Sequence, residues 1–148
     1  MLDDAPLEYR RDGLVITTDR RRIDPDSVLE LLRTTFWARE MKSEVLARAI
    51  RNSVCFALLD GTILAGFGRA VSDLATYAYW TDVVILSSYR GRGLGHWLSE
   101  CMLAHPDLQG LRRVALLTRD AAELYRGIGF TEGPGPLVYM ERRPGAAS

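Results

Sequence analysis

Residues 77–105 read YAYWTDVVILSSYRGRGLGHWLSECMLAH. This stretch begins with an apolar, β-branched run over residues 77–86 that predicts a strand. It ends with apolar residues at helical spacing over 94–105, and Pro106 stops that run. Between them lies RGRGLG, residues 90–95. The stretch therefore predicts a strand, a glycine-rich loop and an amphipathic helix in direct succession.

The flanking sequence supplies further strands and helices. Upstream, the patterns predict a strand at 14–17, helices beginning at Asp24-Pro25 and Ser43-Glu44, and a β-hairpin with arms 54–59 and 62–71 around Asp60-Gly61. Downstream, they predict a strand at 114–118, a short helix at 120–126 and strands at 130–131 and 137–142. This order favours an α+β (mixed α/β) domain with one twisted sheet and helices on both faces. We expect one domain over residues 1–148, frayed over about 12 N-terminal and about 5 C-terminal residues.

Composition excludes several classes of protein. Lys+Arg and Asp+Glu both number 19, so no global charge favours nucleic acid as a partner. The N-terminus is polar and acidic, unlike a signal peptide, and no apolar run approaches the roughly 18 residues of a membrane span. Cys55 and Cys101 lie in apolar-periodic segments without clustered histidines, which indicates buried thiols and no metal site. We expect a cytoplasmic protein that binds neither nucleic acid nor membrane.

The glycine-rich loop has the chemistry of an anion site. Glycine lets backbone N–H groups approach an anion closely, and the first turn of a helix offers unpaired N–H donors. Arg90 and Arg92 add positive charge suited to phosphate oxygens. The nucleoside-triphosphate loop is excluded because no Gly-Lys-Ser/Thr follows, and the dinucleotide fingerprint because His96 stands at its third glycine. The loop alone still leaves open a flexible turn before a structural helix.

Two motifs together resemble the GNAT superfamily of N-acetyltransferases. Arg90, Gly93 and Gly95 match its Arg/Gln-x-x-Gly-x-Gly/Ala loop, which grips the pyrophosphate of acetyl-CoA. Residues 121–125, AAELY, followed by 127–130, GIGF, resemble the family's Ala-x-x-Leu-Tyr helix and Gly-Phe ending. With the order of elements, the likeness covers most of the chain from about 14 to 142. It implies a mostly antiparallel GNAT-like sheet with a splay between the strand before the loop and the next strand, the fourth and fifth by the predicted count.

The resemblance also implies roles for particular residues. Acetyl-CoA would serve as cosubstrate, with no metal, and would lie in the splay. Its expected binding residues are Val84, Ile85 and Leu86 for the pantetheine arm, Arg90, Gly91, Arg92, Gly93, Leu94 and Gly95 for the pyrophosphate, and Thr118 near the arm. Many members carry asparagine where this chain has Thr118, but a hydroxyl can still donate or accept a hydrogen bond. Tyr125 matches the tyrosine that assists departure of coenzyme A.

The acceptor amine needs a base, because an alkylammonium is almost wholly charged at neutral pH. Asp82 is the first candidate for this catalytic role, although it could equally pair with an arginine of the sheet. Glu40 and Asp73 come next. The aromatic residues Phe36, Trp37, Tyr79 and Trp80 either line an apolar acceptor pocket or belong to the core.

We therefore expect an acetyl-CoA-dependent N-acyltransferase that acts by direct attack of a primary amine. A different class stays open: a non-catalytic module that binds acyl-CoA and regulates a partner. The acceptor, a small-molecule amine or a protein amine, does not follow from the fold. Whether the protein forms a homodimer is also left open.

Overall fold

The computed structural model describes residues 5–145, which form two compact units divided between Thr118 and Arg119. Within the described part of the first unit, the strands are β1 (Glu8–Arg11), β2 (Leu14–Thr17), β3 (Val54–Asp60), β4 (Ile63–Ser72), β5 (Tyr77–Ile85) and β6 (Arg113–Leu116). Its α-helices are α1 (Pro25–Leu32), α2 (Ser43–Arg51) and α3 (Leu94–Ala104), with 3-10 turns at Arg20–Arg22, Ser87–Tyr89 and Pro106–Leu108. The second unit contains α4 (Ala122–Arg126).

The strands form one six-stranded sheet in sequence order, β1-β2-β3-β4-β5-β6. Every neighbouring pair is antiparallel except β5 and β6, which are parallel. The predicted fold class, a mixed α/β domain with a mostly antiparallel sheet, is confirmed. Because β1 was not anticipated, the strand before the glycine-rich loop is the fifth of the sheet rather than the fourth.

Local sequence explains the best-formed elements. The β3–β4 hairpin turns at Gly61, whose φ of +58° is a conformation that glycine adopts without steric cost. The side chain of Asp24 accepts a hydrogen bond from the Asp26 amide, and Pro25 follows at the first helical position. Both features were predicted from the sequence and are confirmed.

Helices cover both faces of the sheet. On one face, α1 and α2 pack over a buried cluster that includes Ala57, Phe67 and Val84. On the other face lies α3: a Cβ built on Gly68 would meet Met102 Sδ of that helix at 2.8 Å. Since neighbouring residues of a strand point to opposite faces, Phe67 faces α1 and α2 whereas Gly68 faces α3.

The two glycines of β4, Gly66 and Gly68, allow close packing. A Cβ on Gly66 would lie 2.8 Å from Ile85 Cδ1 and 3.1 Å from the Val84 carbonyl oxygen. A larger side chain at Gly66 would crowd the β5 backbone, whereas at Gly68 the flexible end of Met102 would have to shift. Gly66 therefore allows β4 to lie close to the end of β5, from which the glycine-rich loop follows.

The N-terminal segment differs from the expectation of frayed residues. Glu8–Arg11 forms β1 and pairs with β2 from Glu8↔Thr17 to Arg11↔Leu14. Its sequence, EYRR, is polar and mostly exposed, as suits an edge strand, so it lacks the apolar alternation by which strands are recognised. The expectation was wrong for these four residues.

The C-terminal segment also differs. Residues 130–131 and 137–142 were expected to be strands, but neither is a strand within the described residues 5–145. Val138 and Met140 are 80% and 85% exposed. A strand needs a hydrogen-bonding neighbour, and β-branched or aromatic composition does not supply one. Of the five C-terminal residues expected to fray, 146–148 lie outside the described residues.

Candidate active site

The sheet opens beside the second half of β5. The pairing of β5 with β6 runs from Tyr77↔Arg113 to Trp80↔Leu116. On its other edge β5 stays paired with β4 as far as Gly66↔Ile85, and the Leu86 amide donates to the Ala65 carbonyl at 2.8 Å. The backbone of Val84, Ile85 and Leu86, predicted to hold an extended ligand, therefore lies at the splay.

The glycine-rich loop joins this strand to α3. Gly91 and Gly93 have φ of +77° and +73°, and no atom lies within 4 Å of a Cβ built on either. Gly93 is the N-cap of α3 and provides no side-chain capping bond, while the first turn contains no acidic residue. Leu94 and Gly95 begin the helix. The Cβ positions of both glycines thus face open space, and the N-cap residue contributes no side-chain bond to the first amides of α3. Uncapped helix amides are suited to binding an anion.

The two arginines of the loop are held differently. Arg90 Nε donates to the Ile85 carbonyl at 3.1 Å, which ties the loop back to β5. The guanidinium of Arg92 lies 5.5 Å from the ring centroid of Tyr89. Tyr89 in turn donates its hydroxyl to Asp60 Oδ2 at 2.6 Å, and this hydrogen bond raises the pKa of the phenol. Both cations consequently stay beside the loop.

Asp82 occupies a bulge in the middle of β5. Its φ is +56°, and the register of β4 with β5 shifts between Phe67 and Arg69. Arg69 Nε donates to Asp82 Oδ2 at 3.0 Å, with Nη2 2.9 Å from the same oxygen. Trp37 Nε1 donates to the other oxygen, Oδ1, at 3.2 Å. The carboxylate is almost fully buried and engaged by three donors, so the structure shows the arginine pairing that the sequence had left open.

The other two candidate bases have contrasting surroundings. Asp73 accepts hydrogen bonds from the Ala75, Thr76 and Tyr77 amides and from the Thr76 hydroxyl. The bonds from Thr76 above all hold the pKa of Asp73 well below its usual range, so this carboxylate organises the turn before β5. Glu40 lies exposed in the α1–α2 loop.

The four aromatic candidates differ in their exposure to solvent. Trp80 is 3% exposed and belongs to the core, and Tyr79 is half-buried. Phe36 and Trp37 are 49% and 47% exposed and meet edge to face, with ring centroids 5.1 Å apart. The core assignment therefore holds for Trp80, whereas Phe36 and Trp37 are each about half exposed.

In the second unit, Tyr125 lies on α4. Its ring contacts Phe130 edge to face at 5.7 Å, and the Phe130 amide donates to the Tyr125 carbonyl at 2.9 Å. Burial raises the pKa of Tyr125, which keeps the phenol protonated. Thr118, predicted to lie near the ligand, is exposed at the end of the first unit.

Sequence reasoning missed the partners of Asp82. Arg69 stands inside the apolar run of β4, and a lone arginine in such a run is a usable sign of a buried ion pair. Nothing in the sequence marks Trp37, which is 45 residues from Asp82, as its hydrogen-bond donor.

Among residues 5–145, no group of three His, Cys, Asp or Glu side chains could hold a metal ion. The helices in the same range are all too short or too polar to span a membrane.

Comparison with known proteins agrees with this geometry. The model of the GNAT acetyltransferase domain matches residues 51–132, more than half of the chain. A Gibberella zeae protein named as a candidate acetyltransferase is 29% identical, with 95% of this chain and 96% of that protein covered. A crystal structure from Xanthomonas campestris, described as a candidate acetyltransferase of the GNAT family, superposes with a TM-score of 0.84 and 38% identity over 90% of this chain and 95% of its own.

A second structure shares the fold at low identity. It is described as a predicted acetyltransferase with acetyl-CoA from Clostridium acetobutylicum, and it has a TM-score of 0.62 and 10% identity, with 80% of this chain and 92% of that chain covered. The fold is one that acetyltransferases of the mixed α/β class share. The chain belongs to the GNAT family of acetyltransferases.

Proposed function

We propose that the protein transfers an acetyl group from acetyl-CoA to a primary amine by direct attack. The observation that carries the proposal is the glycine-lined start of α3, to which the N-cap residue contributes no side-chain bond. This helix follows β5, whose pairing with β6 ends at Trp80 within residues 5–145. A pyrophosphate fits such a start because helix amides and the helix dipole favour negative charge. The Clostridium acetobutylicum neighbour, whose description includes acetyl-CoA, agrees with this cosubstrate.

The residues present fit the cosubstrate in three places. The amides of residues 91–95, with the charges of Arg90 and Arg92, would hold the pyrophosphate. The backbone of residues 84–86 would pair with the pantetheine amides as an added strand would. The hydroxyl of Thr118 would serve the same arm. The open space at Gly91 and Gly93 supports the fit, since a side chain there would stand between the amides and the anion.

We assign to Tyr125 the stabilisation of departing coenzyme A. Because burial raises its pKa further above that of a thiol, full proton transfer to the thiolate is uphill. A hydrogen bond from the phenol to the developing thiolate is favourable in any case. We also propose that residues 1–148 form a single acyltransferase domain.

Direct attack is preferred to a cysteine intermediate because both thiols are poor nucleophiles. Burial raises the pKa of Cys55 to about 12 and that of Cys101 to about 11. Very little thiolate is then present at neutral pH, and the thiolate is the reactive form. A Cys55→Ala, Cys101→Ala variant should keep its turnover, and loss of all turnover in a folded variant would contradict direct attack. Free, buried thiols also fit the proposed cytoplasmic location.

The acceptor must lose a proton, and the three candidate carboxylates are not equivalent. Asp73 is a weak base because its hydrogen bonds lower its pKa. Asp82 could accept a proton only if Arg69 or Trp37 released one of its oxygens. Glu40 is exposed and can act through water. A pH profile of kcat for Asp82→Asn and Glu40→Gln separates them, because loss of the true base abolishes the acidic limb.

Thiol release tests the function as a whole. Acetyl-CoA is mixed with a panel of primary amines and free coenzyme A is measured with a thiol reagent, against a control without amine. Amine-dependent release supports the enzyme. Binding of acetyl-CoA without release for any amine would favour the regulatory module instead.

A further inference from the structure

The α1–α2 loop is fastened to the centre of the sheet through one tryptophan. The indole N–H of Trp37 reaches Asp82 Oδ1, while Arg69 holds Oδ2. The carboxylate is 3% exposed and the arginine 13%. Arg69 Nη1 also donates to Ser53 Oγ at 3.0 Å, so the guanidinium itself is fixed. The edge of Trp37 is therefore anchored to a rigid, buried ion pair.

The rest of the indole remains open. Trp37 is 47% exposed, whereas the chain's other two tryptophans, Trp80 and Trp97, are 3% and 5% exposed. Phe36 stands at 87° to Trp37, so the two rings form a corner rather than a flat patch. Leaving two such rings half in water is unfavourable, and the partly buried hydrogen bond to Asp82 prevents Trp37 from collapsing onto the core. This combination is typical of a binding surface.

The anchor point lies where the sheet opens. Trp80 is the last residue of β5 paired with β6, Asp82 follows two residues later, and Val84 two residues after that. The aromatic corner, Phe36 with Trp37, is thus attached to β5 at the beginning of the splay. In the proposed function, the same splay holds the acyl-CoA.

We propose that the aromatic corner binds the body of the acceptor, that the acceptor is a primary amine bearing an aromatic or extended apolar group, and that Asp82 positions Trp37 for this purpose. The proposal rests on the proposed function and specifies its substrate class. Aromatic rings favour edge-to-face contacts with another ring, and an indole face also attracts an ammonium ion. A small, strongly hydrated amine gains little from such a surface.

Asp82 acts in this account through Trp37 and does not take the proton. Both of its oxygens are engaged, and the ion pair would have to break for it to act as a base. The two roles differ in their kinetic signatures. A positioning residue affects KM for the acceptor and leaves the pH profile of kcat in place, whereas a base removes the acidic limb of that profile.

Tryptophan quenching tests the surface without requiring turnover. In the wild-type protein saturated with coenzyme A, acrylamide should quench mainly Trp37, because the other two tryptophans are buried. Saturating 2-phenylethylamine should lower the quenching constant about twofold, and n-butylamine should lower it less. Trp37→Phe provides the control, since its residual quenching should be small and insensitive to either amine.

Kinetics tests the specificity. The ratio of kcat/KM for 2-phenylethylamine to that for n-butylamine should be about tenfold in the wild-type protein and should fall close to one in Trp37→Ala. Trp37→Phe keeps a ring but loses the N–H donor, so it should lose part of the ratio without disturbing the ion pair. Val45→Ala, which removes a 40% exposed apolar side chain from α2, should leave the ratio unchanged. Asp82→Ala, which removes the acceptor of the Trp37 hydrogen bond, should, if folded, raise the acceptor KM with an unchanged pH profile.

The possible results distinguish failure of the acetyltransferase function from failure of the acceptor assignment. If acetyl-CoA does not bind to the wild-type protein, the proposed function fails. If it binds but neither amine protects Trp37 or is acetylated, or if Trp37→Ala leaves the ratio unchanged, the assignment of the aromatic corner is overturned. If Asp82→Asn loses the acidic limb, Asp82 is the base and its positioning role is overturned.

Discussion

Asp82→Asn should destabilise the protein far more than removal of an exposed ion pair. Removing one partner of a buried pair costs about 3–5 kcal/mol because the other charge is left uncompensated. Here the uncompensated charge is Arg69, whose side chain is 13% exposed. Asparagine keeps an oxygen that can accept from Trp37, so we expect the lower end, about 3 kcal/mol. In a chain of this length each kcal/mol of lost stability lowers Tm by about 2–4 °C, so Tm should fall by about 6–12 °C.

The matched control is Glu132→Gln. Glu132 and Arg126 approach to 2.6 Å, closer than the 2.9 Å of the buried pair, but their side chains are 81% and 45% exposed. Solvent screens such a pair, so no measurable change in Tm is expected. Urea unfolding of both variants gives the free energies directly. If the two substitutions have equal effects, burial is not what makes the Asp82 pair important, and the reasoning fails.

Three further predictions concern the loop, the tyrosine and a thiol. Gly93→Asp should weaken acetyl-CoA binding at least about 100-fold in calorimetry, because a carboxylate would face the pyrophosphate. Gly110→Asp, at a matching φ of +71°, carries the same backbone strain and should bind acetyl-CoA with wild-type affinity. Tyr125→Phe should lower kcat about tenfold with an unchanged Kd for acetyl-CoA; a collapse in affinity would make the tyrosine structural. Burial raises the pKa of Cys55 from 9.0 to about 12, so as pH rises the thiol ionises first in the unfolded state, and stability is lost. Denaturation between pH 8 and 11 should show the free energy of unfolding falling by about 1.4 kcal/mol per pH unit above pH 9. Cys55→Ala should lack this part of the pH dependence.

Local chemistry made part of the fold predictable. The Asp60-Gly61 turn and the strand, loop and helix over residues 77–105 depend on neighbours in sequence, and the structure contains all of them. β1 could not be recognised because Glu8–Arg11 is a polar edge strand that owes its structure to pairing with β2. The opposite error occurred at 137–142, where strand-forming residues have no strand in the described part of the chain.

The candidate site, like the fold, could be predicted from the sequence only in part. The backbone positions of the loop follow from glycine spacing, and the structure gives Gly91 and Gly93 the positive φ that such a loop needs. The surroundings of Asp82 do not follow, because its partners come from 13 and 45 residues away. Tertiary contacts decided whether that carboxylate is free or paired, and only the fold could bring Arg69 and Trp37 to it.

Calorimetric titration of the purified wild-type protein with acetyl-CoA, with ATP and NAD as controls, shows whether the protein binds this cosubstrate. The glycine-lined start of α3 and the open edge of β5 predict one site with a Kd on the order of micromolar, within the usual range for metabolic ligands, and no comparable binding of the control nucleotides. A folded sample that takes up no acetyl-CoA would mean that residues 90–95 are only a turn, and the proposed activity would be wrong.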